Sequence, residues 1–432
     1  MSRAPKKSGH NHAKKRTQAA QHPFFAKQLA IKNLSPDQWQ AQFLAQYERG
    51  AYEQALQTAL DFVKQHPRIA SVWTDAATCA VYLQKWDVAI DCCQRALALD
   101  PDLLAAYDGL AHAYGAQGET DHTRQYGLTA FTMRHQRFGL RAPFAWDVSA
   151  LSKPEIAGER IIAFSLFGSD SKYCETAVLN VIEQKRVYPD WRCRFYVDDS
   201  VPEFILSRLR EHGAQIMLVD DEVKTWPGAM WRFAAYDDPN VSRVIFRDAD
   251  SVVSKREALA VEDWVCSQQP FHMMRDAGSH TELVLAGLWG CVRGALPPMS
   301  QMVGDYLTKT SPDERFADQY FLREYVWPYM RDHVVQHDSK FGFLNARAFP
   351  LEAQAGERSI GDAEGITFFD APVNAPDGTT VYWSLWHHVD GAEQQICRYP
   401  AVVQNNTIRA HIPRRYTQKL NREYLLKVQC PT

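Results

Sequence analysis

The stretch from Arg243 to Ser251 carries the side chains with the clearest chemical potential in this sequence. Val244-Ile245-Phe246 is a short apolar run typical of a buried strand, and it leads directly into Arg247-Asp248-Ala249-Asp250-Ser251. In extended backbone, residues two apart point to the same side, so the carboxylates of Asp248 and Asp250 share one face at the end of this strand. Two hard oxygen ligands suit Mg²⁺ or Mn²⁺, and such a cation also holds a diphosphate and stabilises it as a leaving group.

The segments around this motif predict an α/β domain in which strands and helices alternate. Ile161–Phe167 is a continuous apolar run that stops at Gly168-Ser169-Asp170, and helical periodicity follows from Tyr173 to about Val187. The further predicted elements are a strand at Arg194–Val197, a helix at Glu203–Glu211, a strand at Gln215–Val219 and a helix around Trp231-Arg232-Phe233. Buried strands that alternate with helices indicate a mostly parallel sheet, whose ligands bind at the carboxyl ends of the strands.

The order of these features gives the chain a family resemblance. Ile161 to about Phe343 resembles a glycosyltransferase of the GT-A type, with Asp248-Ala249-Asp250 as its metal-binding Asp-x-Asp motif. The resemblance implies a Rossmann-like nucleotide-diphospho-sugar transferase fold, a nucleotide-sugar donor and Mn²⁺ or Mg²⁺ as the cofactor. It is distantly similar to the retaining family 8 galactosyltransferases, although the stereochemistry stays open. An inverting enzyme would need a carboxylate base, for which Asp276, Glu282 and Asp318 are candidates.

The same resemblance implies a role for each of several residues. The donor-binding residues are Phe164, Ser165, Phe167, Gly168, Tyr173, Arg232, Asp248, Ala249, Gly287 and Lys340. Among them, Lys340 is expected on the diphosphate, and Gly287 allows the backbone to lie close under the donor sugar. The metal ligands are Asp248, Asp250 and the late His337, with His387 and His388 in reserve. Asp318 and Gln319 correspond to the catalytic Asp-Gln near the anomeric carbon, and the acceptor is expected to enter over Arg275, Asp276, His280 and Trp289.

Several of these residues also have a purely structural interpretation. Arg232 could pair with Asp237 or Asp238 nearby, and Asp318 could be a carboxylate in the first turn of a helix, where it interacts favourably with the macrodipole. His337 could be a hydrogen-bonded residue at the end of a strand. The sequence alone leaves these alternatives open.

An internal repeat fills the first third of the chain. A shift of 34 residues superimposes Trp39 on Trp73 and Tyr107, and Pro67 on Pro101. Such a unit, with an aromatic near its start and Pro at its end, resembles the tetratricopeptide repeat, over Ser35 to about His135. About three such helix pairs are expected to stack into a curved solenoid. Its concave side would bind a protein partner, or the repeats would only extend the neighbouring domain.

Composition excludes disordered and fibrous proteins. The 432 residues are 23% charged with a formal net charge of −3, which indicates an ordered protein of two or three domains and gives no electrostatic reason to expect nucleic acid. The nine cysteines are an odd number without a CxxC pair, which favours a reducing compartment and no zinc site. The sequence shows neither a signal peptide nor a long apolar span, so we expect a cytoplasmic protein, at most peripheral at the cytoplasmic face of a membrane.

These observations divide the chain into a disordered basic tail at 1–30, tetratricopeptide-like repeats at 31–140 and a GT-A type domain with a C-terminal extension at 155–432. A final basic helix is expected around Arg414 to Val428. The function expected is metal-dependent transfer of a sugar to a glycan, lipid-linked glycan or protein acceptor, in cell-surface polysaccharide or glycoconjugate synthesis. The alternative is a non-catalytic scaffold whose α/β domain is degenerate. A nucleotidyltransferase fits less well, because the loop after the first strand is poor in glycine, and a phosphatase would carry its Asp-x-Asp on that first strand.

Overall fold

The computed structural model describes residues 35–150, 157–310, 316–389 and 392–429. The expected disordered tail at 1–30 lies outside the described residues. Within the described ranges, no helix is both long and apolar enough to cross a membrane.

The first described range forms a tetratricopeptide-like helical repeat. Its helices are α1 (Pro36–Glu48), α2 (Tyr52–Gln65), α3 (Ala70–Tyr82), α4 (Trp86–Leu99), α5 (Leu104–Gln117) and α6 (Thr120–Phe138). Each helix packs against the next along the chain. Fully buried alanines, among them Ala55, Ala76, Ala89 and Ala96, allow this close packing. The predicted pairs of helices are therefore confirmed by the structure.

A seven-stranded sheet forms the centre of the second region. The strands are β1 (Glu159–Leu166), β2 (Arg192–Val197), β3 (Gln215–Leu218), β4 (Val241–Phe246), β5 (Phe271–Arg275), β6 (Trp289–Val292) and β7 (Val334–Asp338). Their order is β3-β2-β1-β4-β6-β5-β7. The pairings are parallel, except that β6 runs antiparallel to both β4 and β5. The mixed α/β region expected from the sequence is thus present.

Helices and short turns connect these strands. They are α7 (Ser171–Val187), α8 (Glu203–Glu211), a 3₁₀ segment at Gly228–Asp237, α9 (Lys255–Ser267), α10 (Met299–Lys309) and α11 (Ala317–Phe321). A π-helical turn at Leu322–Val326 then leads into α12 (Trp327–Met330). The helices α7 and α8 and the strands β1 to β4 agree with the sequence prediction to within three residues.

The C-terminal part adds two small antiparallel sheets. The strands β8 (Phe368–Pro372) and β11 (Thr407–His411) pair with each other, while β9 (Thr380–Val389) lies between β10 (Ala392–Val402) and β12 (Tyr424–Gln429). The predicted final helix is wrong: only α13 (Arg414–Thr417) is helical, and the chain then forms β12. The apolar side chains of these C-terminal strands share one core with α7 and β1.

The third helix pair packs directly on the sheet region. Phe131 of α6 stacks on Phe343 with ring centroids 5.0 Å apart. Gly278 lies against α5 so closely that a Cβ there would be 2.6 Å from the carbonyl oxygen of Ala111. Phe131 and Ala111 belong to the same hydrophobic core as residues of β1, β4 and β5. The repeats and the α/β region consequently share a core rather than a polar linker.

Candidate active site

A cavity of about 320 Å³ opens at the carboxyl ends of β1 and β4, which are parallel neighbours in the sheet. Three carboxylates and one guanidinium line it, together with aromatic, small and aliphatic residues. The lining residues are Ser165, Leu166, Phe167, Tyr173, Ala229, Arg232, Asp248, Ala249, Asp250 and Asp318. This position is where ligands bind in α/β sheets.

The turn after β4 carries Asp248 and Asp250, and buried polar contacts fix its shape. Asn180 of α7 donates to the carbonyl of Ser251 at 2.8 Å and accepts from the N–H of Val253 at 3.0 Å. On the other side, the carbonyl of Asp250 accepts from the N–H of Glu364 at 2.7 Å. The backbone of the Asp-x-Asp motif is thereby held between α7 and the C-terminal part.

Arg232 links two of the three carboxylates of the cavity. It is buried, and its Nη1 lies 2.5 Å from Oδ1 of Asp248 while its Nη2 lies 3.0 Å from Oδ2 of Asp318. Its backbone N–H donates to Oγ of Ser165 at 3.0 Å, which ties the 3₁₀ segment to β1. The pairing proposed as a structural alternative, with Asp237 or Asp238, is not what the structure shows for Arg232.

The three carboxylates differ in their electrostatics. Burial raises the pKa of Asp248, but the Arg232 guanidinium outweighs it and leaves this pKa below its ordinary value. Burial and the charge of Asp248 raise the pKa of Asp250, against the opposing effect of Lys172. Burial also raises the pKa of Asp318, against the effect of Arg232. The cavity is thus lined by three carboxyl groups and one guanidinium, and burial disfavours the ionised form of all three carboxyls.

This donor set fits a divalent cation. Asp248 and Asp250 both line the cavity, and the Asp248 side chain is 50% exposed. Mg²⁺ is usually held by one or two carboxylates plus phosphate oxygens of the substrate, so a third protein ligand is not required. Among the described residues, no group of three or more His, Cys, Asp or Glu side chains is arranged to hold a metal by itself.

Gly287 is positioned by contact with the Asp-x-Asp motif. A Cβ at this residue would lie 2.0 Å from Oδ2 of Asp248, so any side chain there would displace the carboxylate. Nη1 of Arg247 donates to the carbonyl of Gly287 at 2.7 Å. The structure therefore places the backbone of Gly287 against the Asp248 carboxylate, in the segment before β6, which begins only at Trp289.

The aromatic residues predicted to bind the donor separate into two groups. Phe167 and Tyr173 line the cavity and are 47% and 38% exposed. Phe164, in contrast, is fully buried and stacks on Phe195 with ring centroids 4.7 Å apart. Phe164 is therefore a core residue, because alternate side chains of β1 face opposite sides of the sheet. Gly168 has a φ of +75° and follows Phe167 in the turn after β1.

Asp318 and Gln319 occupy different environments although they are adjacent. Asp318 lines the cavity. With its amide oriented to suit its neighbours, Gln319 donates to the carbonyl of Val284 at 3.0 Å and accepts from the N–H of Ala286 at 3.2 Å. Gln319 thereby supports the segment that leads to Gly287 rather than lining the cavity.

His337 does not lie beside the two aspartates, which corrects the expectation that it completes the metal site. It is on β7, and β6 and β5 separate that strand from β4, a distance of roughly 14 Å across the sheet. Its ring is buried, with Nδ1 3.0 Å from Nε2 of His272 and Nε2 3.1 Å from Oδ2 of Asp263. Burial lowers the pKa of His337 to about 4. The reserve candidates His387 and His388 lie on β9, in the small C-terminal sheet.

Lys340, expected at the donor diphosphate, also lies elsewhere. It lines a different cavity, of about 500 Å³, together with Arg124 of α6. Its backbone N–H donates to Oδ1 of Asp338 at 2.7 Å, within the turn that follows β7. The position of β7 at the sheet edge accounts for this placement, as it does for His337.

The four residues expected to meet the acceptor are mostly structural. Arg275 is fully buried, where it donates to Oε1 of Gln336 at 2.7 Å. Asp276 forms a buried ion pair with Arg256. Trp289 is buried and stacks on Phe246 with ring centroids 4.4 Å apart. Nδ1 of His280 accepts from the N–H of Asp276 at 2.9 Å and closes a turn.

Lys172 lies beside this site, and the sequence argument did not assign it. Its Nζ lies 3.6 Å from Oδ2 of Asp250. The only signal in the sequence was its place just after the first strand, in a loop that lacks the glycines of a phosphate-binding loop. Ala229, whose carbonyl accepts from Oγ of Ser165 at 3.2 Å, also lines the cavity without any signal in its residue type.

Comparison with known proteins gives matches for a limited part of the chain. No protein-family model matches it, and no curated protein does. The TPR2B domain of yeast Sti1 in its pHsp70 complex is 20% identical, with a TM-score of 0.23, over 23% of this chain and 80% of that chain. The second TPR domain of human RPAP3 with an HSP70 peptide is 19% identical, with a TM-score of 0.22, over 22% and 79%. The MamA protein is 20% identical, with a TM-score of 0.22, over 23% and 54%. Because each match covers less than a quarter of this chain, no activity or partner carries over from it.

Proposed function

We propose that the chain is a metal-dependent glycosyltransferase of the GT-A type that uses a nucleotide-sugar donor. One observation carries this proposal: residues from distant parts of the sequence line a single cavity at the carboxyl ends of β1 and β4. They supply aromatic faces, a buried guanidinium and three carboxylates. Those are the chemical groups that a nucleoside diphosphate, a divalent cation and a sugar require.

The residues fall into roles according to their chemistry. Asp248 and Asp250 would hold Mn²⁺ or Mg²⁺, which supplies charge stabilisation for the departing nucleoside diphosphate when bound. Phe167 and Tyr173 offer exposed ring faces for the base and ribose. Arg232 keeps the Asp248 carboxylate ionised and oriented toward the cavity.

Asp318 is the carboxylate we assign to the sugar. It lines the same cavity, and Arg232 joins it to Asp248. A carboxylate beside the reacting carbon stabilises the positive charge that develops there as the glycosidic bond breaks. For the acceptor we propose a glycan or glycoconjugate of cell-surface polysaccharide synthesis, made in the cytoplasm or at the cytoplasmic face of the membrane.

A non-catalytic scaffold is the second candidate, and one observation favours it. Asp248 and Asp250 already have cationic partners within the chain, namely Arg232 and Lys172. A site in which intrachain cations replace a metal would be a degenerate one, and the helical repeats would then carry the function by binding a protein partner through their concave side.

Thermal unfolding with donor fragments separates these two candidates. We expect Mn²⁺ together with uridine or guanosine diphosphate to stabilise the wild type, by about 2.7 kcal/mol at a hundredfold excess over Kd. The variant Asp250→Asn should lose this stabilisation. The control Asp221→Asn, at an exposed position of the same domain, should keep it.

The same pair of variants tests the reaction. A screen of nucleotide sugars with Mn²⁺, followed by release of the nucleoside diphosphate, should find at least one donor for the wild type and for Asp221→Asn. Full turnover by Asp250→Asn in the presence of a chelator would refute the metal-dependent mechanism. A wild type that neither binds these diphosphates nor turns over any donor would leave the scaffold as the function.

A further inference from the structure

We infer that Lys172 is the residue that binds the donor diphosphate, and that it exchanges its partner from Asp250 to a phosphate oxygen when the divalent cation binds. This inference rests on the proposed function and deepens it. It gives the diphosphate-binding role, expected for Lys340 from the sequence, to a lysine that borders the cavity.

The position of the ammonium group is the first support. Nζ of Lys172 lies 3.6 Å from Oδ2 of Asp250 and 3.3 Å from the hydroxyl of Tyr173. It also lies 4.7 Å from the centroid of the Tyr173 ring. Both neighbours line the cavity, so the charge of Lys172 stands at its border.

The stem of this side chain is fixed where it leaves the helix. The backbone N–H of Lys172 donates to the carboxylate of Asp170 at 2.8 Å, and its carbonyl accepts from Oγ1 of Thr176 at 2.8 Å. A Cβ on Gly365 would lie 2.8 Å from Cγ of Lys172, so the C-terminal part presses closely on this stem. The helix and this contact therefore hold the base of the side chain, while its ammonium end extends toward the cavity.

The other cations near the site, Arg232 and Arg247, each have closer hydrogen-bond and ion-pair partners. Arg232 contacts both Asp248 and Asp318 within 3.0 Å. Arg247 donates to the carbonyl of Gly287 at 2.7 Å and pairs with Glu257 at 3.2 Å in the core. At 3.6 Å, the contact of Lys172 with Asp250 is the longest of these, and an ammonium is a rotatable donor on a flexible stem.

Charge balance explains why the partner would change. A divalent cation held by Asp248 and Asp250 would place two positive charges near the Lys172 ammonium, and like charges at such distances repel. A bound diphosphate would add negative charge that the ammonium could pair with. Moving from the carboxylate to a phosphate oxygen therefore relieves the repulsion and forms a charge-assisted hydrogen bond.

Two affinities that respond in opposite directions test this exchange. The variant Lys172→Met keeps the stem that packs near Gly365 and removes the charge. We expect it to bind Mn²⁺ alone severalfold more tightly, because the competing ammonium is gone. It should bind uridine or guanosine diphosphate, measured by calorimetry with saturating Mn²⁺, at least tenfold more weakly, which is about 1.4 kcal/mol.

Two further variants control the experiment. Lys172→Arg keeps the charge and should retain most of the diphosphate affinity, which separates the charge from the packing of the stem. Lys185→Met removes an exposed lysine from the same helix and should match the wild type in both affinities. Melting temperatures of all variants report whether α7 stays folded.

The outcomes distinguish this inference from the function on which it rests. A wild type that binds neither diphosphate with Mn²⁺ overturns the proposed function, and the inference with it. A wild type that binds, with a folded Lys172→Met variant of equal diphosphate affinity or of weakened Mn²⁺ affinity, overturns the role of Lys172 alone. Loss of diphosphate affinity in Lys172→Met that Lys172→Arg does not recover assigns Lys172 to packing and also overturns it.

Discussion

Replacement of Arg134 by Met should weaken the interface between the helical repeats and the α/β region. The Arg134 side chain is buried on α6 and lies 2.6 Å from Oδ2 of Asp108 on α5. Across the interface, its Nε lies 3.2 Å from Oε1 of Glu282, and its Nη1 donates to the carbonyl of Thr281 at 3.1 Å. Arg134→Met keeps an unbranched aliphatic stem but leaves two carboxylates without this cation.

The size of the effect follows from how much of each carboxylate is exposed. Removal of one partner from a buried ion pair costs about 3–5 kcal/mol. The Asp108 side chain is 29% exposed, and Glu282 keeps a second cation, Arg323, at 3.7 Å. Both facts reduce the penalty, so we expect Arg134→Met to lower the free energy of unfolding by about 3 kcal/mol, the lower end of that range.

The pH dependence of this loss has a definite sign. Burial raises the pKa of Glu282, and the charge of Arg134 opposes that rise. Without Arg134 the pKa of Glu282 rises further, so the carboxyl takes up a proton at a higher pH and ceases to be an unpaired charge. The difference in stability between the wild type and Arg134→Met should therefore be largest near neutral pH and become smaller as the pH falls.

Urea unfolding followed by circular dichroism at several pH values measures both effects. Arg137→Met, an exposed position on the same helix, is the matched control and should change the stability by no more than about 0.5 kcal/mol. Two results would refute the reasoning: a loss in Arg134→Met no larger than in the control, or a loss of the expected size that is independent of pH.

Two further predictions concern the site and the sheet edge. If the wild type binds Mn²⁺ with uridine diphosphate, Gly287→Ala should abolish this binding, because the new Cβ would lie 2.0 Å from the Asp248 carboxylate. The control Gly304→Ala has open space around the new Cβ, so it should bind like the wild type and be at least as stable. Burial lowers the pKa of His337 from 6.5 to about 4. The neutral ring therefore contributes to stability above pH 6.5, and up to about 3 kcal/mol of this contribution is lost as the pH falls toward 4. The free energy of unfolding of His337→Gln should depend less on pH, and an unchanged pH profile would contradict this.

Much of the α/β region could be predicted because its strands are buried on both faces. Continuous apolar runs such as Ile161–Phe167 are a local signal, and they agree with β1 and its neighbours. The end of the chain shows the opposite case. Tyr416, Leu420, Tyr424 and Val428 have helical spacing, yet the last two lie on β12, which pairs with β9. That pairing depends on residues about 40 positions away, which a local pattern does not record.

The candidate site could be predicted only where sequence position also fixed the direction of the side chain. Asp248 and Asp250 directly follow a buried strand, so the sheet geometry alone places them at its carboxyl end. His337 lies near the end of a strand and Lys340 follows it, but the sequence does not give the order of strands in the sheet. Since β7 is an edge strand, both residues end far from β4. The expectation that Trp289 meets the acceptor was wrong for another reason: a tryptophan can stack on a sugar or pack in the core, and the sequence does not distinguish the two.

The contacts of Glu282 bear on what the helical repeats do for the proposed enzyme. Glu282 pairs with Arg134 of the repeats and with Arg323 in the π-helical turn that follows Asp318. The chain from Glu282 continues within five residues to Gly287, which packs on the Asp248 carboxylate. The third helix pair is therefore connected, through one partly buried carboxylate, to the segments that carry Gly287 and Asp318.

The helical repeats thus divide into two parts by their packing. Phe131 of α6 lies in the core of the sheet region, whereas the apolar side chains of α1 to α4 are buried in a separate cluster with part of α5. Removal of the third pair would expose the sheet core, so that pair belongs structurally to the α/β region. The first two pairs keep a core of their own. Packing on the neighbouring domain is thus a property of the third pair, and it does not exclude the other interpretation, partner binding, for the first two pairs.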